Sequence, residues 1–159
     1  MHDRSHARIA ALLDAYLAAD YRWEFQGDWR GLAIGEPAPD VDAAFPSTRR
    51  YALLSAWHPH SVVRDEGVNR AEDARLHELI RATGLACRPA FSSANDRSWR
   101  EPSWLVLDMP ADALDGMSRE FGQLGTLAWE RGGRVRLRMD AAAPAGYADT
   151  RCVDWLRQR

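Results

Sequence analysis

Lysine is absent from this chain of 159 residues, and all 21 of its basic residues are arginine. A Schiff-base lysine, the lysine of a phosphate-binding P-loop and the Ser-x-x-Lys acylation motif are therefore excluded. Cysteine is scarce as well. Cys87 and Cys152 lie far apart and form neither a Cys-x-x-Cys motif nor a zinc-ribbon spacing. We expect both thiols to be free, because structural disulfides are rare in cytosolic chains.

Long apolar runs are also absent, and no segment approaches the roughly 18–20 residues of a membrane span. The first residues of the chain lack the apolar segment of a secretory signal. The net charge is −2 and the sequence pI is near 6.2, so no overall basic field indicates binding to nucleic acid or to an anionic membrane. We expect a cytoplasmic protein with a single domain over residues 1–140, followed by a linker and short tail over residues 141–159.

The spacing of apolar residues predicts the order of the elements. An amphipathic helix is expected over residues 4–19, followed by two short strands around the turn at Gly27 and Asp28. From Tyr51 onward the pattern predicts strand, helix, strand, strand, helix and strand, and then one more strand across Gly132 and Gly133. The predicted ranges are 50–57, 68–83, 86–91, 103–107, 110–121, 126–130 and 134–139. A short final helix is expected over residues 149–156.

This order predicts an α+β protein with a ferredoxin-like βαββαβ sandwich. An extra C-terminal hairpin strand and an N-terminal helix with short strands would be added to it. In such a sandwich the first and third strands are central, and the second lies at an edge. The two most continuously apolar strands are the first and third, and Pro89 falls in the second, where an edge tolerates proline. The antiparallel hairpin at Gly132 and Gly133 argues against a doubly wound parallel sheet.

In this topology several ends of strands and helices meet at one edge of the sheet, and polar residues follow them. These residues are His58, His60, Ser61, Asn69, Arg70, Asn95, Asp96, Arg97, Glu101, Ser103 and Gln123. Ordinary structural roles are also open to them. Asn69 is suited to a helix cap, Glu101 to a surface ion pair, and Trp57, Trp99 and Trp104 to the core.

Three chemistries are compatible with the cluster. A helix N-terminus with Arg64 and Arg70 suits a phosphate or carboxylate. Glu101 and His58 suit an acid–base pair, provided that Glu101 is partly buried. His58 and His60 with Glu101 contain metal-ligand types, but His-x-His alone is a weak signal and we assign no metal. The Gly-x-Ser-x-Gly, His-Glu-x-x-His, Gly-x-Gly-x-x-Gly and Walker patterns are all missing.

The same residues resemble the pattern of the DUF3293 domain family of bacterial proteins. The matching residues are Ser55-Ala56-Trp57-His58-Pro59, Ser61, Asn69, Trp99-Arg100-Glu101-Pro102-Ser103 and Phe121-Gly122-Gln123. The resemblance covers roughly residues 12–139. His58 stands where the family pattern has asparagine, and it brings a titratable proton to that position. The resemblance implies a shared site, and it implies no activity and no cofactor.

Our first hypothesis is a module that binds a small molecule, either a nucleotide or another anionic metabolite. The candidate catalytic residues are Glu101 and His58. The candidate ligand-binding residues are Ser55, Trp57, Ser61, Asn69, Arg70, Trp99, Ser103 and Gln123. One alternative is a hydrolase or transferase that uses Glu101 and His58.

A further alternative is an interaction module that assembles as a homodimer through an edge strand or the Trp-rich surface. Nucleic-acid binding ranks last. The alternating row Arg134, Arg136 and Arg138 is typical of a solvated sheet face.

Overall fold

The computed structural model describes residues 2–58, 62–94 and 100–158. The helices in these ranges are α1 (His2–Ala18), α2 (Pro39–Ala44), α3 (Glu66–Ala82) and α4 (Ala111–Glu120). The strands are β1 (Asp20–Phe25), β2 (Asp28–Leu32), β3 (Arg50–Leu54), β4 (Cys87–Ser93), β5 (Arg100–Leu107), β6 (Gly125–Glu130), β7 (Arg136–Met139) and β8 (Val153–Trp155). The predicted α+β class is confirmed, and so are the two free cysteines.

The strands form one sheet in the order β2-β1-β4-β5-β3-β6-β7-β8. All neighbouring pairs are antiparallel except β7 and β8, which are parallel. The prediction that β4 lies at an edge is wrong, because β1 pairs with its other side. That second ladder ends at the pair Trp23 and Ala90, and Ala90 directly follows Pro89 in the chain. Proline therefore falls where β4 pairs with β5 alone, which explains how an inner strand tolerates it.

The predicted C-terminal helix over residues 149–156 is also wrong. Residues Val153–Trp155 form β8, which joins the sheet beside β7. Val153 is 6% exposed and packs in the core, so the segment is held by long-range packing. A strand of three residues is too short to show a period of two in the sequence.

The first strand of the predicted sandwich ends earlier than its apolar pattern suggests. Strand β3 stops at Leu54, and the predicted strand continues to Trp57. The hydroxyl of Ser55 accepts a hydrogen bond from the backbone N–H of Trp57 at 3.0 Å. This local side-chain bond turns the chain away from the sheet, as serine commonly does.

Helices cover the sheet on both faces. On the first face, Leu53, Leu105 and Leu127 pack with Leu13 of α1 and Val41 of α2. On the second face, the buried residues of the sheet and of α3 and α4 are Ala52, Leu54, Val106, Leu76, Ile80 and Leu114. Successive residues of a strand point to opposite faces, so β3 and β5 supply both cores.

The two ends of the sheet approach each other around the first face. Isolated bridges join Ile34 to Val135 and Pro37 to Arg134, so the chain after β2 pairs with the chain before β7. The sheet consequently curves around a core that contains Trp23 and Tyr51. Helix α1 lies against this curved face. No helix in residues 2–58, 62–94 and 100–158 is long and apolar enough to cross a membrane.

The docking of α1 can be tested with two leucines of that helix. Leu13 is 1% exposed and Leu17 is 38% exposed. We expect Leu13→Ala to lower the free energy of unfolding by about 2–5 kcal/mol, because it leaves a cavity in the core. Leu17→Ala, the matched control, should change it by about 0.5 kcal/mol or less. Urea denaturation measures both, and equal effects would contradict the observed docking of α1.

Candidate functional site

A cavity of about 290 Å³ lies between α1 and the first face of the sheet. It is formed where β3 and β4 end and where β5 and β6 begin. The predicted site residues that line it are Ser55, His58, Glu101, Ser103 and Gln123. The remaining lining residues are Leu12, Ala15, Tyr16, Ala19, Tyr21, Leu53, Leu54, Val63, Ser92, Gly125, Thr126, Leu127 and Leu137.

The register of the sheet explains how Glu101 and Ser103 reach the cavity. Tyr21 of β1 lies opposite Ser92 of β4, and Ser92 lies opposite Glu101 of β5. These three residues therefore form a row across three strands. Ser103 follows Glu101 by two positions and shares its face, as does the fully buried Leu105. The alternation that builds the first-face core thus also turns the two polar side chains into the cavity.

Glu101 carries a largely buried carboxyl at the cavity. Burial raises the pKa of its carboxyl to about 7. Among the described residues, none donates a hydrogen bond to it or forms an ion pair with it. Burial, together with the nearby Tyr16 and Glu101, also raises the pKa of Tyr21. The hydroxyl of Tyr21 donates to the backbone oxygen of Tyr16 at 2.5 Å, so it is already engaged.

His58 presents a neutral ring to the cavity. Burial and the positive charge of Arg64 lower the pKa of its imidazole. Its Nδ1 accepts a hydrogen bond from the backbone N–H of Arg64 at 3.3 Å and lies 3.3 Å from Nδ2 of Asn69. This arrangement places the proton of the neutral ring on Nε2. The backbone of His58 has φ of 47°, a left-handed conformation that asparagine adopts more readily than most residues.

Asn69 holds the connection between β3 and α3. It is fully buried, and its Oδ1 accepts from the backbone N–H of His58 at 3.1 Å and from Nε of Arg64 at 2.5 Å. Its Nδ2 donates to the backbone oxygen of Arg64 at 3.3 Å. Arg64 in turn donates from Nη2 to the backbone oxygen of Ala56 at 2.8 Å. Asn69 and Arg64 therefore act on the shape of the cavity through the loop and do not line it.

The groups considered for anion binding at the start of α3 are engaged elsewhere. The carboxylate of Asp65 caps the helix and accepts from the backbone N–H groups of Gly67 at 2.9 Å and Val68 at 3.3 Å. Arg70 donates to Glu66 at 2.6 Å on the exposed surface. The structure does not bring Arg70 to the cavity.

Other predicted residues have structural contacts beside the cavity. Nε2 of Gln123 donates to the backbone oxygens of Trp57 at 2.9 Å and Phe121 at 3.3 Å. The hydroxyl of Ser55 donates to the backbone oxygen of Pro102 at 2.8 Å. The ring of Trp57 meets His58 edge-on, and its buried Nε1 has no hydrogen-bond partner in the described part of the chain. The buried Oγ of Ser103 likewise lacks one there.

Part of the predicted site lies outside the described residues. Ser61 and Trp99 belong to this part, as do His60, Asn95, Asp96 and Arg97. Among the residues that the structure does describe, no group of three or more His, Cys, Asp and Glu side chains is suited to hold a metal ion.

Sequence reasoning missed the wall that α1 contributes. Leu12 and Tyr16 follow the helical spacing of an ordinary core stripe, so nothing in the pattern marks them as cavity residues. One signal was present at Gly125, where a Cβ atom would lie 3.0 Å from the ring of Tyr16. A glycine at the start of a strand is typical of such a close approach. It allows the tyrosine to lie against the sheet.

The arginine row on β7 is balanced by carboxylates. Arg136 donates to Asp154 with two bonds of 2.9 Å, and Arg138 pairs with Asp115 at 2.7 Å. A row that is paired in this way presents little free positive charge to a polyanion.

The comparisons with known proteins identify one family. A family model described as a protein of unknown function (DUF3293) matches residues 54–125. This span contains the polar residues of the cavity from Ser55 to Gln123, and it excludes α1 and β1. No curated protein and no solved structure matches the chain.

The burial of Glu101 predicts a pH dependence of stability. The folded protein holds this proton up to pH of about 7, whereas the unfolded chain releases it near the ordinary glutamate pKa of 4.5. Stability should therefore fall as the pH rises between these values. We expect Glu101→Gln to be more stable than wild type at pH 8, by up to about 3 kcal/mol, and nearly equal to it at pH 5.

Urea denaturation of both proteins from pH 5 to pH 8 measures this difference. Glu78→Gln is the control, because Glu78 is an exposed carboxylate that lies 3.8 Å from Arg81. Parallel stability profiles for wild type and Glu101→Gln would show that Glu101 ionises like a free carboxylate.

The backbone of His58 predicts which substitutions it tolerates. Asparagine suits the left-handed conformation, and its Oδ1 can replace Nδ1 as the acceptor for Arg64. We expect His58→Asn to change the free energy of unfolding by about 0.5 kcal/mol or less. His58→Ala should cost about 1–2 kcal/mol, because it loses the acceptor and disfavours positive φ. Chemical denaturation measures both, and equal losses would assign the role of His58 to packing of its ring.

Proposed function

We propose that the protein is a small-molecule-binding module, because residues 54–125, which match the DUF3293 family model, line a cavity together with α1. The observation that carries the proposal is a concave, largely apolar cavity that contains a buried carboxyl without a partner among the described residues. Ligand sites typically combine an apolar wall with a few such polar groups.

We also propose that β3 to β6, with α3 and α4, correspond to a ferredoxin-like unit inside the larger sheet. The sub-order β4-β5-β3-β6 with antiparallel neighbours supports this assignment. The N-terminal hairpin and the strands β7 and β8 extend the unit at its two sides. In this arrangement the binding cavity opens at the sheet edge where β3 ends and β6 begins.

The charge of the cavity bears on the class of ligand. The sequence alone favours a nucleotide or another anionic metabolite. The arginines expected to meet such a ligand are engaged, since Arg64 is bonded to Asn69 and Ala56, and Arg70 to Glu66. Glu101 adds a negative charge near neutral pH. These contacts support a ligand without net negative charge better than they support an anionic one.

Binding in the cavity can be tested by a thermal-shift screen with a blocked variant. Ala15 and Ala18 are both exposed on α1, but only Ala15 lines the cavity. A ligand at about 100 times its dissociation constant adds about 2.7 kcal/mol, which raises Tm by several degrees. We expect this shift in wild type and in the matched control Ala18→Phe, and its loss in Ala15→Phe.

The screen should contain nucleotides, phosphorylated metabolites, divalent metals, amines and alcohols. A ligand that stabilises Ala15→Phe as strongly as wild type binds elsewhere on the protein. If no compound shifts the wild-type protein, the binding proposal is wrong.

An enzymatic function is the second candidate, and the raised pKa of Glu101 favours it. A carboxyl with a pKa of about 7 can both donate and accept a proton at neutral pH. No hydrogen bond or ion pair joins Glu101 to His58, although both side chains are described. In this proposal, Glu101 and His58 are therefore linked through a bound substrate.

Turnover would separate the two candidates. If the protein is an enzyme, we expect Glu101→Gln to lower its rate of turnover of a compound found by the screen by at least about a hundredfold. General acid–base catalysis typically contributes that much. The compound's affinity should change far less. Product analysis by mass spectrometry measures turnover. If the compound is unchanged after prolonged incubation with wild type, the enzymatic proposal is wrong and the binding function remains.

A further inference from the structure

We propose that the cavity binds a small amphipathic amine, with its ammonium group at Glu101 and Ser103 and its apolar body between α1 and the sheet. This inference rests on the proposed binding function and gives it a ligand class. Its basis is the combination, in one cavity, of hydrogen-bond acceptors, apolar walls and a described lining that contains no arginine.

Glu101, Ser103 and Gln123 each offer a hydrogen-bond acceptor at the cavity, while His58 offers the N–H of its Nε2. The carboxyl of Glu101 has no partner among the described residues, and neither does Oγ of Ser103, although Ser103 is only 3% exposed. Gln123 uses its Nε2 for two backbone oxygens, which leaves its carbonyl oxygen without a bond from any described residue. An ammonium group offers three N–H donors and no acceptor, so it complements this set.

The buried hydroxyl of Ser103 is the second, independent sign of a ligand. Buried polar groups in native proteins are nearly always hydrogen-bonded, and those that are not require an explanation. Glu101 and Ser103 are two positions apart on one face of β5, which separates their Cα atoms by about 7 Å. Side chains at this separation can converge on one polar atom between them.

Among the described side chains that line the cavity, none is a permanent cation, and Arg64 acts on His58 from outside this lining. The ionisable ones among them are Tyr16, Tyr21, His58 and Glu101. Burial raises the pKa of Tyr21 and keeps its hydroxyl protonated, and the lowered pKa of His58 keeps its ring neutral. Glu101 is the carboxylic acid of this set, and its charge is negative when it ionises. No arginine is among the lining residues that the structure describes.

The arginines nearest in sequence to Glu101 and Tyr21 are engaged outside the cavity. Arg100 stacks over Phe91 at 3.7 Å from the ring centre, and its position in β5 alternates with that of Glu101. Arg22 pairs with Asp20 at 3.2 Å. A phosphate or carboxylate ligand would therefore meet Glu101 without a balancing cation from these side chains.

The walls select an apolar body of limited size. Leu12 and Tyr16 form one side, while Leu53, Leu127 and Leu137 form the other. The volume of about 290 Å³ lies at the lower end of the range of about 300–1,000 Å³ that is usual for ligand pockets. A single ring or a short alkyl chain matches that space. Val63, which is 84% exposed, places a further apolar side chain at the cavity.

Proton linkage follows from this arrangement. An ammonium group beside Glu101 stabilises the carboxylate and lowers its pKa below the value of about 7 in the free protein. Binding of an amine then releases a proton between pH 6 and pH 7, and affinity rises with pH across that interval. A carboxylic acid ligand would show the opposite trend, because it requires protonated Glu101.

Three probes with one body and different head groups test the proposal: 2-phenylethylamine, 2-phenylethanol and phenylacetate. Titration calorimetry on the full chain at pH 6 and pH 8 gives their affinities. We expect the amine to bind about tenfold or more tightly than either other probe at pH 8, as a charge-assisted hydrogen bond implies. Its affinity should be lower at pH 6, and its binding heat should depend on the buffer because a proton is released.

The variant Glu101→Gln should remove the preference for the amine and leave the affinity for the alcohol within about twofold. Glu78→Gln serves as the control on the exposed surface of α3. The amine assignment would be overturned if phenylacetate bound most tightly, if the three probes bound with equal affinity, or if the preference for the amine survived in Glu101→Gln. Each of these outcomes would still leave the proposed binding function supported. Absence of binding by all three probes would overturn it too, and the broader screen with Ala15→Phe would then decide separately on the binding function.

Discussion

The pairing of β5 with β3 on one side and β4 on the other is the constraint on which the rest of the structure depends. This strand carries Leu105 into the first-face core and Val106 into the second, so it joins the two cores of the molecule. The same alternation, continued toward the start of the strand, turns Ser103 and Glu101 into the cavity. A register shift of one residue would send both polar groups to the opposite face.

The polar residues near the cavity differ in whether they have hydrogen-bond partners. Asn69 and Arg64 are saturated by bonds to each other and to the backbone around His58, so they form and hold the loop. The buried Oγ of Ser103 has no such partner among the described residues. No hydrogen bond or ion pair joins the carboxyl of Glu101 to a described residue either, and burial alone raises its pKa. Saturated buried networks give rigidity, whereas an unsatisfied buried group carries a cost that a bound molecule can remove.

Much of the fold was predictable because its signals are local. The apolar runs of β3 and β5 and the helical spacing in α3 and α4 are visible in the sequence, and the convergence of Glu101, Ser103 and Gln123 follows from strand order alone. The β1–β4 pairing and the three-residue strand β8 depend on contacts between distant segments, which no periodicity reveals. Leu12 and Tyr16 were not recognisable as cavity residues, because a helix that covers a cavity has the same apolar stripe as one that covers a filled core.

The close approach of Tyr16 to Gly125 brings together cavity residues from segments that are far apart in the chain. Glu101, Ser103 and Gln123 lie within the span that the DUF3293 family model matches, while Leu12 and Tyr16 belong to α1, which precedes that span. Under the proposed binding function, the head group of a ligand and one side of its hydrocarbon body would contact separate segments of the chain. Substitutions in α1 would then change the shape and size of the ligand that fits, while Glu101 and Ser103 would still contact its head group.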